Sequence, residues 1–192
     1  KIIAIEAMPD KARLLRKKFV DVKIVECAVG NSEGEVDFFV NIKQTGYSSL
    51  IDSGGGESEE IKRITVLIKR MDDIVPLENV GVIKIDVEGA ELGVLRGGEG
   101  VLRQSRPVIM FESGPIASGD GEFSKDAMWS FLNSHGYQIV VPNRMAHLDD
   151  GLSLDGFLES HLYPRRTTNY FGVPKECRTE VRDRVRHALG MR

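Results

Sequence analysis

Cysteine is nearly missing from this chain: Cys27 and Cys177 are the two among 192 residues. Two are too few for a disulfide framework or a cysteine-rich zinc site, so reduced thiols and a cytoplasmic setting are the default expectation. Long apolar runs are missing as well. The longest are short, strand-like stretches such as Ile64-Thr65-Val66-Leu67-Ile68, far below the ~20 apolar residues of a membrane-spanning helix. No charge of one sign dominates, since 26 basic residues stand against 29 acidic ones for a net charge of −3. That balance argues against a dedicated nucleic-acid binder, which usually presents a strongly basic face. Walker-type loops, zinc-ligand spacings, a Ser-His-Asp order and internal repeats are also absent from the sequence.

What is present is ordinary for one globular domain with a sizeable core: 41% hydrophobic and 29% charged residues. A single domain over 1–192 is expected, with its core in 1–174 and a basic helix in 175–192. Apolar runs alternate with helical patterns, the signature of an α/β layered domain. Ile2 to Glu6 reads as a buried strand ending in an acid. A helix follows Pro9, with Leu14, Leu15 and Phe19 on one side. Val22 to Ala28 is the next expected strand, followed by a turn at Asn31-Ser32-Glu33-Gly34. Glu35 to Asn41 and Ile61 to Lys69 look like two more strands around a Gly/Ser/Glu-rich loop. Val80 to Asp86 is again strand-like and runs into a helix carrying Leu92 and Leu95, stopped by Gly97-Gly98. Pro107 to Glu112 predicts a strand, and Ser113 to Gly121 a glycine-rich loop. Met128, Phe131 and Leu132 then fall at helical spacing before Gly136. Tyr137 to Val141 and Asn169 to Val173 complete the strands, with no clear period between them.

Ligands of parallel α/β sheets collect outside the carboxyl ends of the strands, where Glu6, Asp86 and Glu112 stand. Glu6 ends its strand as the ribose-binding acid of a nucleotide-binding fold does, or it is a solvated strand-end acid. Within Ile83-Lys84-Ile85-Asp86-Val87-Glu88-Gly89, alternation puts Lys84, Asp86 and Glu88 on one face if the strand persists. Burying such a face is costly unless its members pair or serve a ligand, and a Lys84–Asp86 ion pair at the rim is the plain alternative. Asp86 and Glu112 could orient or deprotonate a hydroxyl, or less plausibly approach a divalent metal. His135 reads as a helix C-terminal cap. His147 and His161 read as surface histidines, with a base near the substrate as the alternative. In the tail, Val181, Val185 and Leu189 recur at i, i+4, i+8 among Arg178, Arg182, Arg184 and Arg186. A surface helix docked on the domain is preferred there over a membrane-binding one.

Taken in order, several stretches resemble the FkbM family of S-adenosylmethionine-dependent methyltransferases. They are Ile3-Ala4-Ile5-Glu6 with Pro9, Ala28-Val29-Gly30 with Gly34, Tyr47-Ser48-Ser49-Leu50 and Met71-Asp72-Asp73-Ile74. The most specific is Ile83 to Glu91, followed by Leu95-Arg96-Gly97, Arg106-Pro107, Glu112 and Gly136-Tyr137. The resemblance covers roughly residues 1–141 plus Asn169 to Pro174. It implies a Rossmann-like three-layer sheet and methylation of a hydroxyl on a sugar or other natural product. S-adenosylmethionine would be the cofactor and a small-molecule or glycan the acceptor. By resemblance, Glu6 and Ala7 would meet the ribose, and Cys27, Ala28 and Val29 would flank the adenine. Asp86 and Glu88 would face the methionine part or the acceptor. Asp86, Glu88 or Glu112 would supply a base beside Lys84, and Tyr47, Ser48 and Ser49 would shape the acceptor pocket. The resemblance also implies an N-terminally truncated core, because Lys1 stands where the family's second strand starts. The glycine loop of the first strand is then expected to be missing, donor binding weak, and sheet edges open to a second copy of the chain. A non-catalytic module of the same fold and another nucleotide-binding enzyme are the competing readings.

Overall fold

Residues 1–41, 61–114, 124–164 and 167–191 are described by a computed structural model of the chain. Strand β1 (Ile3–Glu6) pairs in parallel with β2 (Lys23–Glu26), in register from Ile3↔Lys23 to Glu6↔Glu26. Helix α1 (Pro9–Lys18) connects them. Pro9 suits its first position, where no intrahelical N–H is needed, and Arg16, Lys17 and Lys18 oppose the negative end of the helix dipole. The expected apolar side of this helix needs correction. Ala12 is fully buried, whereas Leu14 and Phe19 are exposed. At ~100° per residue, Leu14 lies about 200° around the helix from Ala12, so both cannot face inward.

The strand expected over Val22 to Ala28 is broken at Cys27. After the break, β3 (Ala28–Val29) leaves β2 and pairs in parallel with β5 (Ile61–Lys69). β4 (Gly34–Asn41) runs antiparallel to β5, giving the order β3-β5-β4. A third sheet has the order β6-β7-β9-β8, made of β6 (Val82–Ile85), β7 (Val108–Glu112), β8 (Tyr137–Val140) and β9 (Asn169–Pro174). β6 and β7 are parallel, while β9 is antiparallel to both of its neighbours. The architecture is mixed α/β. Among the described residues β1 has only β2 as ladder partner and β6 has only β7.

The β6–β7 crossover contains two helices where one was expected. α2 (Glu91–Gly97) stops at Gly97-Gly98 as predicted, and α3 (Glu99–Gln104) starts at once. Asp72 explains the second helix: its two carboxylate oxygens accept the orphan N–H groups of Gly100 and Val101, each at 3.0 Å. A side chain from a distant 3-10 turn (Met71–Asp73) thus caps α3, where the helix has no cap of its own. Gly97 sits against the carbonyl of Gly30, so two of the glycine-containing stretches noted in the sequence meet backbone to backbone. Leu95, Leu102, Ile109, Phe111, Leu132 and Tyr170 are fully buried in the main core, each worth about 1.5–3 kcal/mol of transfer free energy at most.

The unassigned stretch holds α5 (Leu154–Glu159), which adds Phe157 to that core. Its Ser153 N-cap accepts from the Gly156 N–H at 3.1 Å. Ser153→Ala is expected to cost about 1 kcal/mol, a fall of ~2–4 °C in thermal midpoint, checked by calorimetric unfolding. α4 (Lys125–Ser134) matches the predicted spacing of Met128, Phe131 and Leu132. His135 caps its end as expected, with Nδ1 2.8 Å from the Phe131 carbonyl and Nε2 2.8 Å from Glu99. The tail forms α6 (Arg178–Ala188), docked by Val181 and Val185, while Leu189, the third member of the predicted stripe, is exposed. Arg178 is buried and donates to the carbonyls of Arg144, Met145 and His147.

Candidate functional site

The parallel register of β6 and β7 sets Ile85 beside Phe111, so Asp86 and Glu112 leave the sheet at the same rim. Asp86 is bound to Lys84 at 2.5 Å, with side chains 44% and 57% exposed. At that exposure the pair costs little to form and contributes at most about 1 kcal/mol. The burial penalty inferred from the alternating charges is therefore not incurred at Lys84 and Asp86.

Glu88 behaves differently because the strand has already ended. It adopts a φ of 50°, the left-handed region, and Gly89 follows at 100°. The turn is closed by the Gly89 N–H donating to Glu91 Oε1 at 3.0 Å. A non-glycine residue held in this region costs of order 1–3 kcal/mol and persists only where its surroundings dictate it. Partial burial pushes the Glu88 carboxyl above the usual carboxylate range, and the nearby Glu112, Asp86 and Glu91 push it further. Glu91, itself buried, is also raised, by desolvation first. For an acid raised in the folded state, ionisation opposes folding. This contribution to stability is full below the unfolded value near 4.5 and is lost as pH rises through the raised value. A cation seated among these four carboxylates would reverse the effect.

A second group forms at the end of β1. Glu6 Oε1 accepts the Met8 N–H at 2.8 Å, just before α1. Ala7 and Met8 pack against a small core that includes Ala28, and Cys27 beside it is 2% exposed. Burial pushes the Cys27 thiol up, so it stays protonated and serves as a small apolar side chain. Val29 packs the other way, onto the main core. Glu6, Ala7, Cys27, Ala28 and Val29 thus meet where β1 and β2 end, and Asp86, Glu88, Glu91 and Glu112 meet where β6 and β7 end. No described ladder bridges the two groups. Tyr47, Ser48 and Ser49 lie outside the described residues, as does most of the glycine-rich loop after Ser113.

His161 corrects the sequence reading: it is not a surface histidine but 8% exposed. Its Nε2 lies 2.8 Å from Ser113 Oγ and its Nδ1 2.7 Å from the Phe157 carbonyl. The ring stacks on Tyr170 and meets Phe157 edge-on. The four-residue step from Phe157 to His161 was the available clue, since it is helical spacing. A separate cavity of about 410 Å³, lined by Trp129, Gln138, Asp150 and Lys175 among others, contains none of the rim acids. Among the described residues no group of three or more His, Cys, Asp or Glu is placed to hold a metal, and no helix is long and apolar enough to cross a membrane.

The family model described as the methyltransferase FkbM domain matches residues 1–139. Among solved structures, a methyltransferase FkbM from Methylobacillus flagellatus KT is similar at 16% sequence identity and a TM-score of 0.45. The likeness covers 89% of this chain and 36% of that one, so the chain spans little more than a third of that protein's length. No curated protein matches.

Proposed function

We propose, from the premise that this chain belongs to the FkbM methyltransferase family, that it moves a methyl group from S-adenosylmethionine to a hydroxyl of a sugar or other natural product. The observation that carries this reading is the strained, partly desolvated Glu88 among Asp86, Glu91 and Glu112. Four carboxylates at one rim suit a ligand with positive charges, and this donor carries two, an ammonium and a sulfonium. The bound donor supplies an electrophilic methyl on that cationic sulfur. Asp86 and Glu88 hold the positive end, and Glu112 adds to the field from the neighbouring strand. Glu6, with one oxygen steadied by the Met8 N–H, keeps acceptor capacity for the ribose hydroxyls. Ala7, Ala28 and Val29 offer small apolar walls for the adenine beside the buried Cys27. Lys84 is engaged by Asp86 and serves to position it. The parallel pairs β1–β2 and β6–β7, each joined through helices, support a Rossmann-like sheet. In such a site the protein mainly aligns the acceptor oxygen, excludes water and takes up its proton.

Titration calorimetry with S-adenosylmethionine and with NAD tests the reading. Weak but saturable binding of the first and none of the second is expected. Just above pH 4.5, binding should release protons to the buffer, because a cation at the rim favours ionised Glu88. Preference for NAD would assign Glu6 to a dinucleotide and end the methyltransferase mechanism.

A further inference from the structure

We propose that Ser113 and His161 form the proton-accepting pair of the transfer site, with Ser113 touching the acceptor hydroxyl and His161 acting through it. The proposal rests on the methyltransferase reading above and gives the proton its destination. A carbonyl only accepts, so the Phe157 oxygen 2.7 Å away requires the proton of the neutral ring to sit on Nδ1. That leaves Nε2 with its lone pair toward Ser113, whose hydroxyl donates to it at 2.8 Å. The tautomer is fixed by the backbone and the ring by Tyr170 and Phe157. Ser113 Oγ, its hydrogen committed, can then only accept from a ligand.

Ser113 and His161 are each 8% exposed, so the pair is sheltered from bulk water beside the rim. Ser113 directly follows Glu112, so its Cα is ~3.8 Å from that of a rim acid. Its N–H is tied to the Thr168 carbonyl at 2.8 Å, which fixes the strand end. The Lys125 ammonium on α4 acts on His161, and it also feels Glu91 of the acidic turn. Burial holds the His161 ring below its ordinary value near 6.5, the Phe157 carbonyl pulls the other way, and Lys125 lowers it further. Tyr170, packed on the ring from β9, is itself pushed up by burial and stays neutral. The ring is therefore the free base at neutral pH.

The balance closes without another reagent. The acceptor oxygen's lone pair forms the new C–O bond, and the C–S bond breaks with its pair returning to sulfur. The acceptor's proton passes to Ser113 Oγ while Ser113's own proton passes to His161 Nε2. The positive charge lost at sulfur reappears on the imidazolium, so net charge is conserved.

Diisopropyl fluorophosphate tests the pair without any knowledge of the acceptor. Ser113 Oγ attacks phosphorus, an O–P bond forms, fluoride leaves and the serine proton goes to His161. Peptide mass spectrometry on the full chain should find the adduct on Ser113. Its rate should rise with pH through a value below 6.5 and level off, and saturating S-adenosylhomocysteine should slow it at least tenfold. Ser113→Ala should abolish the adduct, and His161→Gln should slow it at least a hundredfold. The wild-type pH profile stands as evidence even where a variant is unstable. Absence of the adduct from folded wild-type protein, a pH-independent rate, or no protection by bound S-adenosylhomocysteine overturns the proposal. Donor binding in the calorimeter with no adduct sinks the pair alone. A reactive Ser113 in a protein that binds no donor would sink the methyltransferase reading.

Discussion

Gly97→Ala is expected to destabilise the protein by about 3 kcal/mol, a fall of roughly 6–12 °C in thermal midpoint for a chain of this size. A Cβ built on Gly97 would lie 1.9 Å from the Gly30 carbonyl oxygen and 2.9 Å from its carbon. Both obstacles are backbone, so no rotamer change relieves them. Gly30 cannot retreat freely either, since its N–H is bound to the Lys69 carbonyl at 3.0 Å and its own α-carbon faces Ile68. The small gain in helix propensity from alanine, about 1 kcal/mol, is outweighed. Gly81→Ala is the control, because a Cβ there meets nothing within 4 Å. Thermal unfolding of the two variants side by side decides the matter; equal midpoints would mean that Gly97 does not meet the Gly30 carbonyl as described.

Glu88→Gly should separate stability from function. The φ of 50° at Glu88 is strained for any residue with a Cβ and relaxed for glycine. Removing the carboxyl also removes an ionisation that opposes folding above pH 4.5. Glycine adds entropy to the unfolded chain, which offsets part of the gain. The variant should therefore be at least as stable as wild type at pH 7, and less advantaged near pH 4. Its affinity for S-adenosylmethionine should fall about 10–150-fold, the value of a lost charged contact of ~1.5–3 kcal/mol. Calorimetry and unfolding on the same samples read both quantities. A destabilised Glu88→Gly with unchanged donor affinity would make the turn a structural device and remove Glu88 from the site.

Sequence pattern reached the strands around the rim because each is a short apolar run closed by an acid or a glycine. It reached less where tertiary contacts decide. Asp72 belongs to a stretch noted in the sequence, yet its role as the cap of α3 depends on an approach across 28 residues that no local pattern encodes. Cys27 sits inside a stretch, Val22 to Ala28, that reads as one strand, and only the competing partner β5 pulls Ala28 and Val29 out of line with β2. Glu88 was expected on the same face as Asp86 by strand alternation; the left-handed turn that overrides the alternation is signalled only by Gly89. His161 lay in a stretch without period, where a six-residue helix is too short to show one. Asp86, Glu88 and Glu112 were thus legible one by one, Glu91 was not singled out, and their grouping needed the register of β6 and β7.

The order β6-β7-β9-β8 bears on how the chain must be synthesised and cut. Among the described residues β8 touches the rest of its sheet only through β9, which follows it in the chain. The stretch matched by the family model ends at residue 139, within β8. A polypeptide ending there would hold β7 and β8 with the strand between them missing, leaving two rows of unanswered backbone groups facing a gap. Arg106 adds to this dependence, gripping Glu176 with two guanidinium nitrogens beyond the strand. On the ribosome, that sheet cannot close until residue 174 has cleared the exit tunnel, although its first two strands emerge early. The unit of folding is longer than the unit of sequence likeness.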